Sequence, residues 1–186
     1  MGVVIWIIIG VAVLVISYVV VIYNRLVRLR ALVRESWSGI TVQLRRRADL
    51  VPNLVSAVKG YASHERELLE NVTAHRGDAI SAKSVGATAQ ADAALSGMLG
   101  RLIAVAEAYP DLKADANFRQ LQDELSEVEE ELARARRYYN ATVRDLNTQV
   151  QSFPDVVVAQ PLGFKVEEPY ADADTAIQTA PKVDFG

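Results

Sequence analysis

Cysteine is missing from this chain of 186 residues. Its absence excludes a disulfide, a thiolate zinc site, a cysteine nucleophile and a lipoprotein acylation site. The redox compartment is therefore left undetermined. Any anchor in a membrane must be a hydrophobic segment of the chain itself.

Glycine and histidine are also scarce, with ten and two residues. No P-loop, GxGxxG, GxSxG, HExxH or EF-hand pattern is present, so the sequence offers no phosphate cradle and no catalytic motif. His64 and His75 would share one helix face but lie about 16 Å apart, too far to hold one ion. We expect them to be solvated or capping residues, with a metal site completed by another helix as the alternative. The expectation is a protein that is not an enzyme and holds no metal or cofactor.

The charged residues are distributed unevenly around the net charge of −3. Residues 1–60 have a balance of +6 and residues 61–186 a balance of −9. Three consecutive arginines at positions 45–47 would suit nucleic acid. The body is acidic, however, and basic residues beside a membrane segment already serve topology and anionic lipid. We therefore expect no nucleic-acid partner.

A run of twenty uncharged residues, 3–22, predicts a transmembrane helix. At 1.5 Å per residue it spans about 30 Å, the thickness of the hydrocarbon core of a bilayer. A cleaved signal peptide is the competing interpretation, but the basic n-region, shorter apolar stretch and small-x-small cleavage site that it requires are not present. Trp6 near one end and Tyr18 and Tyr23 near the other suit interfacial anchors.

Basic residues follow the apolar run at once. They are Arg25, Arg28, Arg30 and Arg34. No lysine or arginine precedes the run, so the positive-inside rule predicts a single-pass protein of the inner cell membrane, with its N-terminus outside and its C-terminal body in the cytoplasm. We expect Arg25, Arg28 and Arg30 to contact anionic lipid headgroups.

Helical periodicity continues beyond the membrane segment. Spacings of three and four relate Leu26, Leu29, Val33, Trp37, Ile40 and Leu44. Asp49 as an N-cap and Pro52 in a first turn then predict a break near Leu50 and a second helix. The apolar seam of this second helix consists of Val51, Val55, Val58, Ala62, Glu65, Leu69 and Val72.

Glu65 is the one charged residue on that seam. Burying its carboxylate unpaired would cost several kcal/mol, so it should pair with a donor from another helix. Candidate donors are Arg136, Arg137 and Tyr139, with the arginines at 45–47 as further ones. We interpret the site as an interhelical polar contact that fixes the alignment of the helices, with a site for a ligand or protein partner as the alternative.

The second half of the chain begins with a weak pattern and ends with the strongest one. Residues 77–94 are rich in Ala, Ser, Thr and Gly, which predicts a frayed helix end and a loop around residues 84–86, before a third helix that resumes at Leu95 and ends before Pro110. The last helix is predicted to open at Asn117, or at Asp115 as the alternative start, and to close at residues 153–154. Its heptad seam consists of Phe118, Leu121, Leu125, Val128, Leu132, Ala135, Tyr139, Thr142, Leu146 and Val150.

Four ordered stretches of this pattern resemble the bacterial LemA family. They are YNRLVRLRALVRESWSGITVQL (residues 23–44), RRADLVPNLVSAVKGYASHE (46–65), YPDLKADANFRQLQDEL (109–125) and RRYYNATVRDLNTQVQSFP (136–154). The resemblance implies a membrane-anchored bundle of long antiparallel helices and no established reaction or ligand. It also implies a scaffold role, because family genes often neighbour those for a membrane zinc peptidase or a TPM-domain protein.

The sequence thus predicts an all-α protein in three parts. They are a transmembrane anchor at residues 1–24, a helical bundle with coiled-coil-like packing at residues 25–154, and an irregular, weakly ordered tail at residues 155–186. The expected function is that of a membrane-tethered interaction or scaffold protein that contacts the lipid bilayer and binds protein partners or copies of itself. The alternatives are an accessory subunit of a membrane enzyme such as a zinc peptidase, and a lipid-organising membrane assembly.

Overall fold

The computed structural model describes residues 1–62 and 64–171, and within these residues the chain forms six α-helices and no strand. The helices are α1 (Gly2–Tyr61), α2 (Arg66–Ser81), α3 (Val85–Glu107), α4 (Pro110–Ala114), α5 (Ala116–Gln151) and α6 (Asp155–Ala159). The all-α prediction is confirmed. The chain divides into unit 1, made of Met1–Ser38 and Arg137–Pro169, and unit 2, made of Gly39–Arg136 with the segment that begins at Tyr170.

Unit 1 pairs antiparallel parts of α1 and α5. The rings of Trp37 and Tyr139 lie 5.4 Å apart, and the hydroxyl oxygens of Ser36 and Thr142 lie 2.9 Å apart. The apolar side chains that the two helices bury are Ile22, Leu26, Val33, Tyr139, Val143, Leu146 and Val150. Side chains before Ile22 are exposed, and the most apolar window of eighteen residues in α1 is only 6% buried. Among the described residues, α1 is the one helix long and apolar enough to cross a membrane.

Unit 2 has an apolar core to which α1, α2, α3, α4 and α5 all contribute. Its largest members are Val51, Leu54, Val58, Leu69, Val72, Leu95, Leu99, Leu102, Leu112, Phe118 and Leu125. These positions recur at helical spacing because each helix turns one apolar stripe towards the core. The periodicity predicted for the last helix is thereby confirmed over its first part, and its positions at Tyr139, Leu146 and Val150 are buried in unit 1.

The break expected near Leu50 is wrong, because α1 continues through Pro52 to Tyr61. Proline has no N–H, so the carbonyl of Ala48, four residues earlier, loses its helical partner. Arg76 of α2 replaces that partner, with its Nε 2.6 Å from the Ala48 oxygen. The helix therefore tolerates the proline through a contact between residues 28 positions apart, which local periodicity does not contain.

The seam predicted for one helix from residue 51 to residue 72 belongs to two helices. α1 ends at Tyr61 and α2 begins at Arg66, so Glu65 occupies the N-cap position of α2. Its side chain makes no capping hydrogen bond there. The conflict between a charged residue and a buried heptad position, on which the interpretation of Glu65 depended, is therefore not present.

The alanine-rich segment is helical for most of its length. The loop predicted around residues 84–86 is confirmed only at Ser84, since residues 85 and 86 belong to α3; the Ser84 Oγ accepts a hydrogen bond from the N–H of Ala87 at 3.2 Å. The third helix, however, begins at Val85, so its predicted start at Leu95 is too late. Alanine has the highest intrinsic helix propensity, and a stretch of small residues needs no apolar stripe to form a helix.

The ends of the remaining helices follow local signals. α3 ends at Glu107, before Pro110, as predicted, and Pro110 begins α4. Asp115 caps α5, because its Oδ1 accepts from the N–H of Phe118 at 2.9 Å, which confirms the alternative start over Asn117. α5 ends at Gln151, next to the predicted closure.

The first part of the expected tail contains ordered contacts. Residues 155–159 form α6, and Phe164 and Tyr170 are buried. Residues 172–186 of the predicted tail lie outside the described residues.

We expect Arg76→Met to lower the free energy of unfolding by about 1–3 kcal/mol, because it leaves the Ala48 carbonyl without a partner. In a Pro52→Ala background residue 52 regains its N–H, so the same change at Arg76 should cost much less. Chemical denaturation of the full chain in detergent measures both costs as a double-mutant cycle.

Arg66→Met is the matched control, because Arg66 is an exposed arginine of the same helix, in an ion pair of 3.5 Å with Glu70. It should change stability little in either background. Equal costs of Arg76→Met with and without Pro52 would contradict the explanation.

Candidate functional site: a buried charge centre and an open groove

Asp92 of α3 is the centre of a buried polar cluster in unit 2. The residue is 1% exposed. Its carboxylate accepts hydrogen bonds from the guanidinium groups of Arg47 and Arg136 and from the hydroxyl of Tyr170. Three parts of the chain that are distant in sequence thus meet at one carboxylate: α1, the middle of α5, and the segment after Pro169.

Arg47 is completely buried and makes further contacts around Asp92. Its Nη1 donates to the Ser96 hydroxyl at 2.7 Å and to a carboxylate oxygen of Glu129 at 2.8 Å, and its Nη2 donates to the backbone carbonyl of Asp92 at 3.1 Å. The Nε atoms of Arg47 and Arg136 have no hydrogen-bond partner among the described residues. Two guanidinium groups face two carboxylates, so the charges in the cluster balance.

The protonation states in this centre are set by its mutual contacts. Burial, the largest single influence, would lower the pKa of Arg136, but Asp92, Tyr170 and Glu129 together outweigh it and the pKa is raised. Burial raises the pKa of Tyr170, and its hydrogen bond to Asp92 raises it further. Tyr170 therefore remains a neutral donor and Arg136 a cation. The Asp92 carboxylate, engaged by three donors, is not available as a base or a metal ligand.

The sequence analysis did not predict a role for Asp92, although the sequence contains a pattern that indicates its burial. Extending the spacing of the α3 seam backwards from Leu95 in alternating steps of three and four reaches Asp92 and then Thr88. Both residues are buried, like the apolar residues that follow them on the seam. A carboxylate at a heptad core position was the criterion applied to Glu65, and it identifies Asp92 once residues 85–94 are recognised as helical.

The other candidate site of unit 2 is an open groove between α1 and α2. It encloses about 690 Å³ and is lined by Val55, Lys59, Arg66, Leu69, Glu70, Thr73 and Ala74. Val55, Leu69 and Ala74 provide apolar surface, while Lys59 and Arg66, the latter paired with Glu70 at 3.5 Å, leave one positive charge in excess. An apolar surface beside basic groups suits one face of an amphipathic helix.

The residues proposed as partners of Glu65 have contacts of their own. Arg136 binds Asp92 and stacks on the Tyr170 ring, with its Cζ 5.3 Å from the ring centroid. Arg137 is exposed. The hydroxyl of Tyr139 donates to the backbone carbonyl of Glu168 at 2.8 Å, and burial with the nearby Glu167 and Glu168 raises the pKa of Tyr139 to about 12. A polar or partner site at Glu65 stays a prediction.

The arginines expected to contact lipid lie at the start of the packed part of α1. Arg25 and Arg28 are exposed. Arg30 is half-buried, with its Cζ 4.6 Å from the centroid of the Phe164 ring. Arg25 also borders a cavity of about 430 Å³, together with Leu29, Arg144, Asp145, Thr148 and Gln149. Lipid contact by these three arginines stays a prediction.

Comparisons with known proteins agree with the resemblance seen in the sequence. The model of the LemA family matches residues 36–185. The magnetosome proteins MamQ 1 and MamQ 2 of Paramagnetospirillum magneticum are each 25% identical over 186 aligned residues, covering 84% of this chain and 68% of the relative. Protein LemA of Metamycoplasma hominis is 28% identical over 141 residues, covering 75% of this chain and 64% of the relative.

We expect Asp92→Ala to lower the free energy of unfolding by about 3–5 kcal/mol, because it strands two buried guanidinium groups and a phenol. Replacing three of the charged groups together, as Arg47→Met, Asp92→Leu and Arg136→Met, should recover most of that loss, since the one charge left without its partner is that of Glu129, whose side chain is 39% exposed to solvent. Denaturant unfolding of the full chain in detergent measures both.

The exposed ion pair between Glu131 and Arg134 provides the control. Glu131→Ala should leave stability almost unchanged, since surface ion pairs contribute little. A triple variant as unstable as Asp92→Ala would show that the centre stabilises by its shape rather than by its charge pairing.

Proposed function

The chain belongs to the LemA family, and on that premise we propose that it is a membrane-tethered interaction protein whose helical body binds a protein partner without catalysing a reaction. The observation that carries the proposal is the apolar start of α1, of which only 6% is buried within the protein. Such a surface is unfavourable in water, and the core of a bilayer satisfies it. The protein is membrane-associated, and we propose that residues 3–22 span the membrane once.

Binding is favoured over catalysis by the state of the buried charges. Among the described residues of unit 2, Asp92 is the most enclosed carboxylate, and its oxygens are already occupied by Arg47, Arg136 and Tyr170. A catalytic carboxylate needs access to substrate, whereas a structural one needs to be saturated with donors. The centre fits the second description, so we assign function to the surface of the bundle.

The groove between α1 and α2 is the surface that we propose for the partner. Its apolar floor suits an amphipathic helix, and Lys59 and Arg66 suit acidic residues beside the apolar anchors of that helix. A partner that is itself a membrane enzyme would make this chain an accessory subunit. The identity of the partner therefore separates a scaffold from a subunit.

We expect the N-terminus outside and the body inside the cytoplasm, because the arginines follow the apolar run. The absence of cysteine allows a clean test with single-cysteine variants. A membrane-impermeant maleimide should label Gly2→Cys in intact cells, and should label the exposed position of Arg101→Cys only after lysis. Labelling of Arg101→Cys in intact cells would reverse the orientation.

We expect a photoreactive amino acid at position 73, in the groove, to crosslink to one partner in native membranes. The double charge reversal Lys59→Glu and Arg66→Glu should reduce this adduct severalfold, because it opposes an acidic partner. Position 101, exposed on α3, is the control and should give no adduct. Equal adducts at both positions, or no effect of charge reversal, would contradict the assignment of the groove.

A further inference from the structure

The segment that follows α5, residues 152–163, includes α6 and consists mostly of apolar residues. We call this segment the tip. Phe153 is 83% exposed, Val157 65% and Leu162 50%. Asp155 is the one charged residue of the tip, and it is buried. The tip therefore presents a largely apolar surface, on which Ser152 and Gln160 are the exposed polar side chains, and it carries no exposed charge.

The antiparallel pairing of unit 1 brings the start of the tip towards the membrane segment. Trp37 lies against Tyr139 and Ser36 against Thr142, so each step towards the C-terminus of α5 matches a step towards the N-terminus of α1. The cavity that Arg25 shares with Gln149 continues the same order. Gln151, the last residue of α5, is thus roughly level with residues 23–27 of α1.

The residues that follow the tip contact the rest of unit 1 near the same height along α1. The Phe164 ring packs edge-on against Tyr23 with centroids 5.9 Å apart. Beyond it, the backbone of Glu167 exchanges two hydrogen bonds of 2.8 Å with the Asn147 side chain. The C-terminal end of the tip is therefore held against Tyr23, where the exposed apolar run of α1 ends, and its start lies within about one turn of that level.

We infer that the tip inserts into the interfacial layer of the bilayer, beside the point where α1 leaves the membrane. This inference rests on the proposed transmembrane anchor. Phe153, Val157 and Leu162 would enter the boundary between headgroups and acyl chains, where apolar side chains are favoured and backbone groups can still reach water. Lys165, two residues after the tip, and Arg25, which borders a cavity with Gln149 near the end of α5, are both exposed and suit anionic headgroups.

The test uses the full chain in lipid nanodiscs with an environment-sensitive NBD dye on a single cysteine. Phe153→Cys and Val157→Cys report on the tip. Val11→Cys, within the apolar run, is the positive control for the anchor. Glu35→Cys is the matched negative control, since it is an exposed position of unit 1 about 20 Å further along α1 from Ile22. Nanodiscs with and without lipids brominated on their acyl chains measure contact with lipid.

We expect dye at positions 153 and 157 to emit at shorter wavelength than dye at position 35, and brominated lipid to quench it severalfold more. Quenching at position 11 without quenching at position 153 overturns the inference and leaves the anchor in place. A shorter wavelength at position 153 that brominated lipid does not quench also overturns it, because protein then covers the tip. No quenching at position 11 overturns the anchor, and the inference with it.

Discussion

The buried carboxylate of Asp92 is the constraint on which unit 2 depends. A charge removed from water is tolerated only when donors replace the solvent, and these donors come from Arg47, Arg136 and Tyr170. If two helices packed through apolar side chains alone, one helix could slide by a turn along the other, because a different leucine would then fill the same place in the core. Asp92 is satisfied at one alignment only. We therefore interpret the centre as a device that specifies helix alignment more than it adds stability.

The fold was predictable wherever a helix has an uninterrupted apolar stripe and a local end signal. α5 has both, in its heptad and in its cap at Asp115, and its extent follows from them. The sequence misled where a distant contact decides the outcome. Pro52 suits a helix start, but the bond from Arg76 to Ala48 replaces the hydrogen bond that the proline removes, and Leu54 and Val58 beyond it are buried in the core. No local pattern contains that bond.

The sequence predicted an interhelical contact between a carboxylate and donors on other helices, but it did not predict that Asp92 is such a carboxylate. The reasoning that a carboxylate on a heptad seam needs interhelical donors was sound, and it selected Arg136 as a donor. It was applied to Glu65, which lies between α1 and α2 and where a polar or partner site stays a prediction, and it applies equally to Asp92, which lies within α3. Asp92 was not considered because the small residues of the segment 77–94 gave no apolar stripe and were assigned to a frayed helix end and a loop around residues 84–86. Helix propensity, rather than periodicity, was the informative signal there.

The length of α5 beyond its contact with Ser36 determines how close the tip comes to the apolar run of α1. From the level of Ser36 and Thr142, α1 rises by about 21 Å to Ile22, whereas α5 rises by about 14 Å to Gln151. α5 thus stops about one turn short of Ile22, and the tip fills that space. One further turn of α5 would carry the short helix α6 and its connecting turns towards the hydrocarbon, where each polar group without a partner costs several kcal/mol. One turn fewer would leave Phe153 in water. If the tip inserts as proposed, the helix end next to Phe153 matches the depth at which apolar side chains can be buried and backbone groups remain hydrated.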